Sequence, residues 1–201
     1  MERYFIGCYN KSVILTYLGI VVAIIGIANA SSNIAIICLM AAGLWDLFDG
    51  PVARRCKRTE TEKHFGVQID SLADIIISLI LPISIVYSTC SNYGINSFWI
   101  ILISIIYVLA GVTRLAWFNI TANIDKRTTY YTGLPVTYIT LILPIAYTVL
   151  GNDSVYLSEG LLVLLLIVAI LFIANIKIKK PTGKWYIVFT ILALILTLIN
   201  I

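Results

Sequence analysis

The chain has 201 residues, is 60% hydrophobic and carries only 12% charged side chains, with a formal net charge of +4. A soluble domain averages about 25% charged residues, so a water-soluble fold is excluded, and the modest positive charge makes no case for a nucleic-acid partner. What remains is an all-α, polytopic membrane helical bundle: a single integral membrane catalytic domain over residues 1–201, with no room for a separate soluble one.

Seven apolar runs follow one another: Val13–Asn29, Asn33–Phe48, Val67–Thr89, Phe98–Trp117, Leu134–Leu150, Leu161–Asn175 and Trp185–Ile201. A spanning helix needs about 20 apolar residues, and lipid forces each span to satisfy its own backbone, so each run is expected to be a helix. The first is read as a retained span, because no small-residue cleavage site stands near it. The sixth is short and has room to begin nearer Val155. Tyrosines and tryptophans such as Tyr130, Tyr131, Trp185 and Tyr186 suit interfacial anchoring.

The fourteen Lys and Arg residues fall in four places. Arg3 and Lys11 precede the first run. Arg54, Arg55, Lys57, Arg58 and Lys63 follow the second. Arg114, Lys126 and Arg127 end the fourth, and Lys177, Lys179, Lys180 and Lys184 follow the sixth. The intervening loops contain none. This alternation predicts a multi-pass protein of the cell membrane with its N-terminus and basic loops in the cytoplasm and its C-terminus outside. The four cysteines, Cys8, Cys38, Cys56 and Cys90, form no CxxC pair and are expected to be unpaired thiols.

Topology does not explain the acids. Asp46 and Asp49 end the second run, and Asp70 and Asp74 open the third. A carboxylate at the centre of a spanning helix costs about 2.5–3.5 kcal/mol, less toward the interface, so cations must offset four of them. Asp46, Asp49, Gly50, Ala53 and Arg54 share one helical face, and Gly66, Asp70 and Asp74 share another. The two helices are joined by a short cytoplasmic connection and run antiparallel, so the two faces can meet. Converging carboxylates form an oxygen-rich site for a hard divalent ion, Mg²⁺ or Mn²⁺. Gly50, Ala53 and Gly66 leave room for a bulky ligand, and Arg54 can grip phosphate. Pro51, lacking an N–H, is expected to disturb the helix near Leu47. The competing structural reading has these Asp residues capping helix ends and pairing with Arg54 and Arg55.

"DLFDGPVAR" followed by "GVQIDSLAD" resembles the signature of the CDP-alcohol phosphatidyltransferase family, D-x2-D-G-x2-A-R, spacer, G-x3-D-x3-D. All eight fixed positions are present: Asp46, Asp49, Gly50, Ala53, Arg54, Gly66, Asp70 and Asp74. At roughly one in twenty per position, chance does not produce this match. Two features depart from the pattern. The spacer from Arg54 to Gly66 is eleven residues, longer than usual, and Ser12 and Val13 stand where the family often has Pro-Asn. "FGVQIDSLAD", "RLAWFN" and "YYTGLP" narrow the resemblance to the phosphatidylserine synthase branch.

The resemblance implies two divalent ions held by Asp46, Asp49, Asp70 and Asp74, with Asp74 as the general base, and Gly50, Ala53, Arg54 and Gly66 binding the CDP-lipid. It implies transfer of a phosphatidyl group, or its ether-lipid equivalent, from a CDP-diacylglycerol-type lipid to L-serine, giving phosphatidylserine and CMP. It also implies a homodimer. Arg114 is the candidate for the serine carboxylate, against a reading as a snorkelling anchor. Asn119, Thr132 and Gly133 are candidates to complete the serine pocket, against a reading of "TGLP" as a plain helix start with Thr132 as cap. His64, the only histidine, is assigned to the basic loop as a solvated residue. Two alternatives stay open. One keeps the family and takes glycerol phosphate or inositol phosphate as acceptor, with Lys126 and Arg127 holding the extra phosphate. The other is an ion carrier, which would favour acids at the bilayer midplane.

Overall fold

The computed structural model describes residues 7–31, 33–124, 130–151, 155–179 and 184–199. Helix α1 (Lys11–Ala28) starts at Asn10, whose side chain accepts from Val13 N at 3.2 Å. Helix α2 (Asn33–Arg55) and α3 (Glu60–Asp74) form the hairpin that carries the acids. A π-helical segment (Ile75–Ile80) joins α3 to α4 (Leu81–Asn92) as one continuous rod. Helix α5 (Ser97–Ile124) leads to strand β1 (Tyr130–Thr132). A 3₁₀ turn (Val136–Tyr138) opens α6 (Ile139–Leu150), and α7 (Val155–Ile173) leads to β2 (Lys177–Lys179) and α8 (Lys184–Ile199). The short sixth run thus does begin at Val155. The fold is all-α apart from the antiparallel ribbon in which Tyr131 faces Ile178.

The chain is an integral membrane protein by the character of its helices. Lys11–Ala28, Glu60–Asn92, Ser97–Thr121 and Val155–Ile173 are each long and apolar enough to cross a bilayer, and Asn33–Phe48, Val136–Leu150 and Ile187–Ile199 are shorter apolar helices. Along α5, Ile101, Leu102, Ile105, Leu109 and Val112 are exposed, while Ile100, Tyr107, Ala110 and Arg114 are buried. That helical alternation separates a face suited to hydrocarbon from one that packs inward. Helix α1 buries a stripe of small residues, Gly19, Ala23 and Gly26. Such stripes let membrane helices approach closely, since apolar burial gives little drive once the surroundings are lipid.

One sequence expectation needs correction. Helix α3 does not begin at Val67 but at Glu60, leaving residues 56–59 as the connection. The reason is a capping box. Glu62 N donates to Thr59 Oγ1 at 3.3 Å, and Thr59 N donates back to Glu62 Oε2 at 2.8 Å. Two otherwise orphaned backbone donors are satisfied, which favours starting the helix there. The long spacer is therefore mostly helix, and His64 is an exposed residue of α3 rather than of a loop. Helix α2 runs on through Pro51 to Arg55.

The π segment follows directly on Asp74, and its end is secured from outside. Pro82 has no N–H with which to bond the carbonyl of Ser78 in the α-helical manner. The Tyr107 hydroxyl of α5 donates to that carbonyl instead, at 2.7 Å. Tyr107 is fully buried and packs against Phe172 of α7, with ring centroids 5.4 Å apart. One side chain therefore ties α5, α7 and the rod below Asp74 together.

Candidate active site

Five helices and the ribbon surround a cavity of about 260 Å³ at the end of the bundle where α2 finishes and α3 starts. From α2, Gly43, Asp46, Leu47 and Gly50 line it, a spacing that places them on one helical face. From α3 come Asp70 and Asp74, one turn apart. The hairpin thus brings three of the four predicted carboxylates to one opening. The side chain of Asp49 lies outside the described residues, as do those of Arg54, Arg55 and Pro51.

Helix α5 supplies Arg114 and Phe118 from the opposite wall. Arg114 is only 5% exposed. Its guanidinium lies 5.2 Å from the Phe118 ring centroid and within electrostatic reach of Tyr131 and Asp74. A snorkelling anchor extends its head to water, and the burial of Arg114 against the cavity weighs against that reading. Its Nε is buried with no hydrogen-bond partner among the described residues. A buried, incompletely satisfied guanidinium is costly, and an anionic ligand would supply what it lacks.

Tyr131 closes the ribbon side. In β1, Tyr130 and Thr132 are exposed while Tyr131 turns inward, as strand alternation requires. It reaches the cavity and packs on Phe118 at 5.9 Å between centroids. Thr137 and Tyr138 of the 3₁₀ turn and Phe189 and Ala193 of α8 complete the deeper, more apolar part. Gly43 faces Thr140 so closely that an added Cβ would collide with its hydroxyl. The absence of a side chain there lets α2 meet the start of α6.

The other predicted residues are placed as follows. Ala53 and Gly66 are half-buried and do not line the cavity. A Cβ at Gly66 would stand 3.3 Å from Arg58 Nη1, so Arg58 fills part of the space left open there. Asn119 exchanges hydrogen bonds with Ser71, its Nδ2 donating to Ser71 Oγ at 2.8 Å, and so fastens α5 to α3 next to Asp70. Gly133 has φ of 75°, donates its N–H to Ile176 O at 2.8 Å, and would drive a Cβ to 2.5 Å from Phe172 O. It shapes the turn. Thr132 is not a helix cap: Pro135 occupies the N-cap of the 3₁₀ turn, and Thr132 instead lines a second cavity on the far side of Arg114. Lys126 and Arg127 lie outside the described residues.

The main cavity's donor set suits a hard divalent cation. Among the described residues, three carboxylates line it and neither thiol nor imidazole does. Among the described residues, no three acidic, thiol or imidazole side chains gather into a closed metal cluster. Sequence reasoning missed Phe118, Thr137, Tyr138 and Phe189, and took Tyr131, which lines the cavity, for an interfacial anchor. The alternation of "YYTGLP" offered a signal only for Tyr131, and only once the segment was known to be a strand.

Comparison with known proteins gives a consistent result. The family model described as CDP-alcohol phosphatidyltransferase matches residues 10–198. An archaetidylserine synthase of Methanothermobacter thermautotrophicus is 29% identical over 167 residues, 83% of this chain and 65% of the relative. A CDP-diacylglycerol–serine O-phosphatidyltransferase of Methanocaldococcus jannaschii is 29% identical over 188 residues, 93% of this chain and 82% of the relative. One from Helicobacter pylori is 30% identical over 165 residues, 78% of this chain and 65% of the relative. The chain therefore spans just under two thirds of the length of the first and third of these proteins.

Proposed function

The chain belongs to the CDP-alcohol phosphatidyltransferase family, and from that premise we propose that it transfers a phosphatidyl or archaetidyl group from a CDP-activated lipid to L-serine, releasing CMP. The observation that carries this reading is one cavity shared by Asp46, Asp70, Asp74 and Arg114. The serine assignment is supported by relatives whose names specify serine as acceptor.

The chemistry follows from the placement of charge. The donor keeps its chains in the bilayer and its nucleotide in water, so its diphosphate belongs at the interface. The family signature includes Asp49, so the proposed ligand set for two Mg²⁺ or Mn²⁺ ions is Asp46, Asp49, Asp70 and Asp74. Bound there, the ions would supply charge neutralisation for the diphosphate and the departing CMP. Gly50 borders this region and leaves space for the diphosphate, with Ala53, Arg54 and Gly66 beyond it.

Asp74 takes the proton of the serine hydroxyl. The serine oxygen then bonds to the phosphorus that carries the lipid, and the bond from that phosphorus to the CMP oxygen breaks. The proton leaves Asp74 for water afterwards. Arg114 holds the serine carboxylate by paired N–H donors, which fixes the direction of the hydroxyl. Phe118 holds the guanidinium from behind, and Asn119 acts on the site by keeping α3 against α5. The acids share one end of the bundle, which favours transfer chemistry over ion carriage.

The residues form one catalytic domain crossing the membrane seven times, with the site and the N-terminus in the cytoplasm and the C-terminus outside. The basic residues gathered around the site's end support that orientation. The family reading further proposes a homodimer. A direct test supplies purified protein with CDP-lipid, Mg²⁺ or Mn²⁺, and serine, glycerol phosphate or inositol phosphate in turn. CMP and an amino-acid-bearing lipid are expected with serine alone. Release of CMP only with a phosphorylated acceptor would overturn the serine assignment, and none with any acceptor would overturn the transferase.

A further inference from the structure

Arg114 faces two spaces. Beyond it, away from the carboxylates, lies a second cavity of about 300 Å³ bounded by α5, β1 and the end of α7. Thr113, Thr132 and Asn175 give it polar edges, and Trp117 and Phe172 give it apolar walls. It is of the size that suits small ligands.

The chemistry of this space has two poles. One is Arg114, which is 95% buried by its 5% exposure and has an Nε with no hydrogen-bond partner among the described residues. The other is the C-terminus of α7, whose Phe172 and Ile173 stand at the cavity. The helix ends sharply here. Ile176 N–H turns back to Ala174 O at 2.8 Å instead of continuing the helical pattern to Phe172 O. A helix C-terminus carries partial negative charge and favours a cation within its last turn. A fixed cation on one side and the negative end of a helix on the other match a zwitterion bearing a carboxylate and an ammonium. Among the described lining residues, a phosphorylated acceptor would meet one cation, Arg114, and an unfavourable helix end.

We infer that this second cavity admits and holds the free amino-acid acceptor, its carboxylate on Arg114 and its ammonium at the α7 C-terminus, separately from the cavity that takes the CDP-lipid. The inference rests on the proposed serine reading of the main site. It assigns Arg114 a further role as the partition between two substrate compartments, with the acceptor hydroxyl presented past it toward Asp74. Trp117 and Thr113 are exposed and mark the outer edge of the acceptor side.

Two experiments test the compartment. Ala174→Phe fills it from the α7 end. KM for serine should rise about tenfold or more, while KM for CDP-lipid and kcat at saturating serine change less than about twofold, the split that marks lost acceptor binding. An unchanged KM for serine in a folded Ala174→Phe protein would overturn the inference. The second readout needs no turnover. Thr113→Cys is placed in a Cys56→Ser, Asp74→Asn background and treated with a charged thiol reagent in the presence of CDP-lipid. Serine, but not glycerol phosphate, should slow labelling several-fold, and equal rates with and without serine would overturn the inference. If the unaltered protein releases no CMP with serine, the serine reading itself has failed. If it turns over with serine while both tests are negative, only the second compartment has failed.

Discussion

The two walls of the cavity are built in opposite ways. The carboxylate wall comes from α2 and α3, neighbours in sequence joined by residues 56–59. Its geometry follows from helical periodicity within a stretch of about thirty residues. The arginine wall comes from α5, the ribbon, the 3₁₀ turn and α8, which are distant in sequence and meet only through tertiary packing. The first wall can therefore be written as a motif. The second depends on contacts such as Tyr107 to Ser78 and Asn119 to Ser71, each joining α5 to the rod that holds the acids.

If that division is right, a substitution in the first wall should abolish chemistry, and one in the second should alter acceptor use. The largest effect is expected from Asp74→Asn, which removes the proton acceptor. CMP release should fall about a thousandfold, in the range typical of a lost general base. Mn²⁺ binding, followed by electron paramagnetic resonance, should be largely kept. Retained turnover would remove Asp74 from the role.

Arg114→Lys comes next. It keeps the charge but loses the paired donors and the stack on Phe118. KM for serine should rise about ten- to a hundredfold, equivalent to one charge-assisted hydrogen bond, with KM for CDP-lipid little changed. Equal losses for both substrates would erase the distinction between the walls. Tyr107→Phe leaves the Ser78 carbonyl without its hydroxyl donor beside Pro82. A loss of about 1–2 kcal/mol of stability is expected, read by thermal unfolding in detergent. The smallest effect should come from Thr59→Ala, about 1 kcal/mol from the lost cap, with kcat intact because α3 is still held by packing.

The asymmetry also explains what could be read from the sequence. The eight signature positions are local, so their presence and helical faces are visible without a structure. The spans are visible because lipid leaves few alternatives to helix. The start of α3 was legible too: "TETE" spells the Thr59–Glu62 capping box, and the charge of the segment masked it as loop. The π segment was not legible, since "IIISLI" carries nothing that separates it from an ordinary apolar helix. Nor was the role of Gly133, whose need for a bare Cα arises from Phe172 O, a partner far along the chain. Arg114 was found for its charge, but its position between two cavities depends on α5, β1 and α7 together.

The most direct test of serine as the attacking group uses serine labelled with ¹⁸O in its hydroxyl, supplied with CDP-lipid and Mn²⁺ or Mg²⁺. The proposed chemistry predicts that the label appears wholly in the phosphorus-linked oxygen of the lipid product, with none in CMP. Label in CMP, or a serine-containing lipid without it, would contradict attack by the serine oxygen at the site between the two walls.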